Sequence, residues 1–268
     1  MPRLLLPAAA LLLAATAAPP AAARAQETSA TPFTWSGAAA PGSWLTLRNV
    51  NGSVRVEGGS GREIEVRATK RWRRGNPEKV EVRVTRYGAD DRNVLVCALW
   101  DEAECDENGY RSRGDRSRDR DNDVSVEFVV RVPRGVNVST GTVNGSVRVA
   151  DVSGEVRAST VNGGVEARSL GGPVSASTVN GDVDARMTAL GDRDLRFATV
   201  NGSVTVSLPE RVDAEVEMST VNGSLNADYP LTLSGRIDPR RIRATVGRGG
   251  PRLRFTTVNG SVTLRKGA

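Results

Sequence analysis

The side chains able to do chemistry are few in this chain of 268 residues, and none of them is histidine. That absence removes Ser-His-Asp and Cys-His hydrolysis, histidine-ligated zinc and the commonest general base. Cys97 and Cys105 are the only cysteines and enclose seven residues. In an exported chain this spacing reads as a disulfide closing a small loop; a two-thiolate metal site would lack further ligands. Asp182, Asp184, Asp192 and Asp194 lie close in sequence and are the best candidates for carboxylate chemistry of the kind used by polysaccharide-cleaving β-helices. They are expected along one or two adjacent structural rungs, and their simpler reading is exposed strand and turn carboxylates. Asp119, Asp121 and Asp123 have the alternate spacing of calcium-loop ligands, but the Gly after the third Asp and the distal Glu are missing. Arg113-Gly114-Asp115 is an integrin-binding tripeptide in other contexts, here inside a segment made largely of those residue types. The expectation is no catalytic residue, no cofactor and no metal.

Basic residues give a similar picture. Lys70-Arg71-Trp72-Arg73-Arg74 could touch an envelope polyanion, but its simpler reading is a solvated strand end. Residues 1–25 read as a secretory signal: Arg3, an apolar run from Leu4 to Ala18, and Ala23-Arg24-Ala25 as an A-x-A cleavage site before Gln26. The run is shorter than the ~20 residues of a membrane span and is interrupted by Pro7. Losing Arg3 and Arg24 takes the formal charge from +6 to +4, a modest excess with no particular anionic partner. Export makes nucleic acid an unsuitable partner. The expected location is secreted or periplasmic, with no transmembrane segment after signal removal.

What must position these residues is a repeat. Val-Asn-Gly occurs seven times: Asn51-Gly52, Asn144-Gly145, Asn162-Gly163, Asn180-Gly181, Asn201-Gly202, Asn222-Gly223 and Asn259-Gly260 each follow a Val. From Gly145 the glycines recur at intervals of 18, 18, 21, 21 and 37 residues, the period of one unit in a stacked array. Asn-Gly is a strong turn signal because both residues accept positive φ. After each corner the chain alternates, with Val147 and Val149, Val165 and Ala167, or Val183 and Ala185 sharing one parity. Before each corner Val156 and Ala158, Val174 and Ala176, or Leu195 and Phe197 do the same. The next residue expected to be buried is the Val of Val-Asn-Gly, so the strand must bend there and its successor must join a different sheet face.

An antiparallel meander would give equivalent residues no reason to match, whereas a solenoid stacks identical side chains into ladders. The fold class expected is all-β, a single-stranded β-solenoid built from Thr-Val-Asn-Gly rungs. Its units are a signal peptide at 1–25, an N-terminal linker at 26–43 and a solenoid domain at 44–268 with a charged loop at about 106–123. The seven corners should stack in columns, and turn chemistry explains every Asn and Gly in them without a bound glycan, water or ice.

The Thr-Val-Asn-Gly-x-Val units, Val-Pro-Arg-Gly-Val at 132–136 and Gly247-Arg-Gly-Gly250 followed by Leu253 and Phe255 resemble the exported bacterial β-strand-repeat family catalogued as "putative adhesins", a domain of unknown function. The resemblance spans about 45 to 265 and implies a right-handed β-solenoid outside the cytoplasm. The function expected is a non-enzymatic structural or interaction module of the cell envelope, its partner an unknown envelope protein or glycan. The competing expectation is a carbohydrate-binding or carbohydrate-cleaving β-helix, which a groove holding carboxylates with Arg or Lys would favour.

Overall fold

The computed structural model describes residues 27–28, 31–100, 103–112, 122–235 and 238–267. The proposed signal peptide, Arg113-Gly114-Asp115, Asp119 and Asp121 lie outside the described residues.

The chain winds alternately through two sheets. Val147–Val152, Val165–Ser169, Val183–Met187 and Val204–Leu208 pair in parallel in the first sheet, in register apart from a bulge between Val149 and Val152. Val156–Ser159, Val174–Ser177 and Leu195–Ala198 do so in the second. Each coil therefore spends one strand on each sheet, and the Asn-Gly corner carries the chain from the second sheet to the first. Alternation makes the inward set of both strands apolar: Val147, Val149, Val165 and Ala167 face Val156, Ala158, Val174 and Ala176, all at most 3% exposed. A continuous core runs the length of the stack and is bulkiest where Phe197 and Phe255 stack with centroids 5.4 Å apart.

The corner corrects one expectation. Val143, Val161, Val179, Val200 and Val221 are 37–50% exposed, whereas the Thr before each is at most 5% exposed. The period-two register thus continues one residue further than expected, through Thr160 after Val156 and Ala158, and breaks inside the corner. A hydroxyl takes the inward position because it has a partner there. Thr160 Oγ1 donates to Gly145 O, Thr178 Oγ1 to Gly163 O, Thr199 Oγ1 to Gly181 O and Thr257 Oγ1 to Gly202 O, each at 2.8 Å. At the first corner, which lacks a Thr, the buried Asn49 reaches Gly52 O and Val126 O at 3.0 and 2.9 Å.

The columns form, but not in sequence order. Parallel bridges link Asn51, Asn144, Asn162, Asn180, Asn201, Asn259 and Asn222 in that sequence. The last coil is inserted: Arg252–Thr256 lies between Leu195–Ala198 and Ala214–Ser219, and Val262–Lys266 between Val204–Leu208 and Leu225–Ala227. The opposite end repeats the device, since Trp44–Arg48 lies between Asn93–Trp100 and Asn137–Gly141, and Val54–Gly58 between Ser125–Val132 and Val147–Val152. Outside the inserted coils three of the four sheet ends carry antiparallel strands, the fourth being Leu225–Ala227, which is parallel to Val262–Lys266. Glu63–Trp72 pairs with Ser125–Val132, Val80–Tyr87 with Asn93–Trp100, and Arg241–Val246 with Ala214–Ser219. At those ends an antiparallel strand, and not a parallel rung, forms the edge of the sheet. Phe33–Ala38 also pairs antiparallel with Glu63–Trp72, so part of the segment expected as a linker is a strand.

The three additional residues of the 21-residue coils fall away from the corner. The loop after Ser169 spans 170–173, whereas the loop after Met187 spans 188–194. One side of the solenoid is fixed and the other varies.

Gly202 tests the fixed side most severely. Its φ is +152°, and a Cβ there would stand 2.0 Å from Gly181 O. Gly202→Val is expected to lower the unfolding free energy by roughly 3 kcal/mol or more, from backbone strain plus overlap that the adjacent rung cannot relieve. Denaturant titration with an unchanged midpoint would contradict that geometry. Thr178→Val, which keeps the shape and strands Gly163 O, should cost about 1–2 kcal/mol in the same assay.

Candidate functional site

The corner edge carries a hydrogen-bonded ladder. Asn144 Nδ2 donates to Asn51 Oδ1 at 2.7 Å, and Asn162, Asn180, Asn201, Asn259 and Asn222 each donate to the next Asn along the stack at 2.8 Å. Every bond uses one amide N–H and one carbonyl, so the ladder satisfies itself along its length and leaves its remaining groups to solvent. The exposed valines run beside it as a narrow apolar ridge.

On the outer face of the first sheet a shallow groove of about 610 Å³ is lined by Arg55, Arg148, Arg168 and Arg186 with Glu166, Asp182 and Asp184. Register produces this cluster: Arg55, Arg148, Glu166 and Asp184 occupy one outward column on successive strands. The carboxylates are engaged. Glu166 meets Arg148 and Arg168 at 2.8 and 2.9 Å, Asp184 lies 3.7 Å from Arg186, and Asp182 accepts from Ser203 N at 2.8 Å. Asp192 and Asp194 are elsewhere, in the loop leading to the second sheet, where Asp194 accepts from Arg252 N at 2.8 Å. The four aspartates thus belong to one coil, with Asp182 and Asp184 at the first-sheet groove and Asp192 and Asp194 in the loop between the sheets. No group of three or more His, Cys, Asp or Glu side chains is arranged to hold a metal among the described residues.

The outer face of the second sheet is built around two covered carboxylates. Glu217 contacts Arg241, Arg243 and Arg254, and Glu155 contacts Arg157 and Arg193. The hydrogen bond from Arg241, with the charges of the other two guanidiniums, holds the Glu217 carboxyl below its ordinary range.

At the N-terminal end Cys97 and Cys105 are disulfide-bonded, with Cα atoms 6.4 Å apart. Cys97 points outward from Asn93–Trp100, and the bond pins the hairpin of Ala103–Asp106 and Gly109–Ser112 over that strand. Leu95, Cys97 and Leu99 are thereby buried in a second small core with Tyr87, Cys105 and Tyr110. Tyr110 Oη lies 2.7 Å from Ala98 O and 2.8 Å from Arg48 O, and burial pushes its phenol well above the ordinary range. The segment 106–123, expected as a charged loop, begins as this hairpin. It ends in a specific contact, because Asp123 accepts from the backbone of Arg73, Arg74 and Gly75, with Gly75 N closest at 2.8 Å. The basic cluster at 70–74 is accordingly part of a strand end: Lys70 Nζ donates to Pro77 O, and Arg71 pairs with Glu127, each at 2.8 Å. Nothing in the sequence pattern signalled the Tyr110 clamp or the contact of Asp123 with the backbone of 73–75.

These features define a class: a two-sheet parallel β-solenoid with a fixed Asn-Gly corner, polar outer ladders and no evident buried site among the described residues. The chain belongs to the Toastrack family, DUF4097, whose sequence profile matches residues 118–265, more than half of it. Similar solved structures include a "putative cell adhesion protein" from Clostridium sporogenes, at 12% identity and TM-score 0.45 over 88% of this chain and 100% of that one. Two others are "putative adhesins" from Bacteroides fragilis and Parabacteroides merdae, each 10% identical over 89% of this chain, covering 98% and 97% of theirs with TM-scores of 0.30 and 0.28. No curated protein matches. Family membership rests on the sequence profile and not on these superpositions.

Two measurements check the site. Cys97→Ser with Cys105→Ser should lower stability by about 2–3 kcal/mol, by releasing a closed loop and uncovering Leu95 and Leu99. A parent-like denaturation midpoint would show that the hairpin is held without the bond. Stability should also depend on pH with a definite sign. Backbone hydrogen bonds depress the Asp106, Asp123 and Asp213 carboxyls, and Arg241 foremost depresses Glu217. A carboxyl held below its unfolded pKa stabilises the fold above that value, so the contribution is present above pH ~4 and fades as pH falls through the folded-state values. A melting temperature that rises on acidification below pH ~4 would contradict this.

Proposed function

We propose that the protein is an exported, non-enzymatic interaction module of the cell envelope: a right-handed β-solenoid that displays fixed ladders of polar and charged side chains. The observation that carries this reading is the engagement of the outward carboxylates. Glu166, Asp184, Asp182, Glu217 and Glu155 are each held by a neighbouring Arg or backbone N–H, which suits a rigid display surface better than a proton-transfer pair. Right-handed winding is the sense parallel crossovers overwhelmingly take. The disulfide and the signal-like residues 1–25 support secretion or a periplasmic location after cleavage at Ala25. No helix among the described residues is long and apolar enough to cross a membrane.

The groove on the first sheet favours the second reading, a carbohydrate-binding β-helix, because Asp182 and Asp184 stand there with arginines. Its openness to solvent and its ion-paired acids support binding more than cleavage.

Expression of the full chain in a bacterium should give a mature protein that begins at Gln26, fractionates with the envelope or the medium, and releases no products from envelope polysaccharides. Glycan turnover that disappears in Asp182→Ala with Asp184→Ala would overturn the non-enzymatic reading, and a cytoplasmic product that retains residues 1–25 would overturn export.

A further inference from the structure

We propose that the outer face of the second sheet is a docking surface for a linear anionic polysaccharide, a proposal that rests on the reading of the protein as an envelope interaction module and names its partner's chemistry. Across adjacent strands the outward column reads Arg243, Glu217, Arg254, Arg196, Ser175 and Arg157. Parallel and antiparallel neighbours are spaced by about 4.8 Å, so the face carries a comb of guanidiniums along the axis of the stack.

Burial separates the two signs of charge. The Glu217 side chain is 14% exposed, whereas Arg241, Arg243 and Arg254 around it are 51%, 59% and 44% exposed. Glu155 is 15% exposed beneath Arg157 at 56% and Arg193 at 67%. Glu217 and Glu155 lie under the arginines that they orient, so a ligand approaching either cluster from solvent meets cations first; the exposed acid of this face, Glu215, stands at one end beside Arg252 and accepts from Thr245 Oγ1 at 3.1 Å. Two carboxylates serve five guanidiniums in these clusters. Arg196 and Arg252 add side chains that form no ion pair among the described residues. Arg157 is further fixed over the Trp44 ring, 4.6 Å from its centroid. Guanidiniums held in place lose less freedom on binding carboxylate, sulfate or phosphate groups, and their planar fork suits such oxyanions.

An extended polymer fits better than a compact anion because the positive groups form a line across six strands rather than converging on a cavity. Arg193 stands on the 188–194 loop, on the side of the solenoid where coil length varies, and repeat proteins commonly place recognition on that side. A glycan is favoured over a membrane because the column presents guanidinium, hydroxyl and carboxylate groups without an exposed apolar residue to insert into lipid. By contrast, Arg55, Arg148, Arg168 and Arg186 on the first sheet share their groove with nearly as many acids, Glu166, Asp182 and Asp184.

The test uses the mature protein, with polygalacturonate and dextran sulfate as probes, neutral dextran as the blank and phosphatidylglycerol vesicles as the membrane alternative. Both polyanions should bind, and more weakly as salt rises. Arg157→Ser/Arg196→Ser/Arg254→Ser should weaken binding about tenfold or more, and Arg55→Ser/Arg148→Ser/Arg168→Ser on the other sheet less than about twofold. Melting curves accompany both; if the first variant unfolds early, Arg196→Ser alone, at a side chain that forms no ion pair among the described residues, decides by weakening binding about twofold or more in a folded protein. Absence of polyanion binding at low salt, equal loss in both triple variants, binding to vesicles alone, or unchanged binding in a folded Arg196→Ser protein would each overturn the proposal. A protein that binds isolated envelopes but neither polyanion would keep the module reading and lose this one, whereas the reverse pattern would do the opposite.

Discussion

The rest of the structure depends on how closely one Gly carbonyl approaches the next corner. A Cβ at Gly145, Gly163, Gly181, Gly202 or Gly260 would stand 2.0–2.3 Å from the carbonyl oxygen of the Gly one rung away. With no Cβ, the chain turns against that carbonyl and the buried Thr hydroxyl of the same unit can donate to it. One contact therefore fixes the spacing of rungs, the register of both sheets and the parity of the strands on either side. The Asn ladder follows from that register, because amides brought to identical heights can only meet the amide above and below.

Fixing one corner leaves the rest of each coil free to vary. The valine and alanine pairs need only fill a thin interior, so the core can widen to Phe197 and Phe255 toward one end without disturbing the corners. Loops on the opposite side lengthen by three residues with no change in strand register. Insertion of a late coil between two earlier ones is tolerated for the same reason. Any coil with the same corner offers its neighbours the same carbonyl, so Gly260 can occupy the place beside Gly202 and Gly223 can move one position out.

The repeat made the solenoid legible, because seven copies of one turn signal with alternating flanks admit few architectures. The disulfide was legible from the spacing of the two cysteines in a chain expected to be exported. Local pattern did not show that Thr rather than Val points inward. Both are β-branched and fit a strand, and only the adjacent rung's carbonyl selects the hydroxyl. Nor could it show the inserted coils, since equivalent corners carry no label for their order. Of the candidate site, the proximity of Asp182 and Asp184 could be read from alternation. The placing of Asp192 and Asp194 in the loop between the sheets required knowing that the chain changes sheets between Met187 and Leu195. The covered carboxylates Glu155 and Glu217 gave no signal, because their arginine partners come from as far as Arg193 and Arg254.

Amide hydrogen exchange at the corners tests the account most directly. Gly145, Gly163, Gly181 and Gly202 donate their N–H to Asn162, Asn180, Asn201 and Asn259 of the adjacent coil, each at 2.9 Å, and Gly260 donates to Asn222. If the corner contact holds the solenoid together, these glycine amides should exchange only through global unfolding, as slowly as the amides of Val165 and Val183 in the strands. Exchange at the fast rates of solvent-exposed turns, with the strands still protected, would show that the corners merely connect a structure held elsewhere.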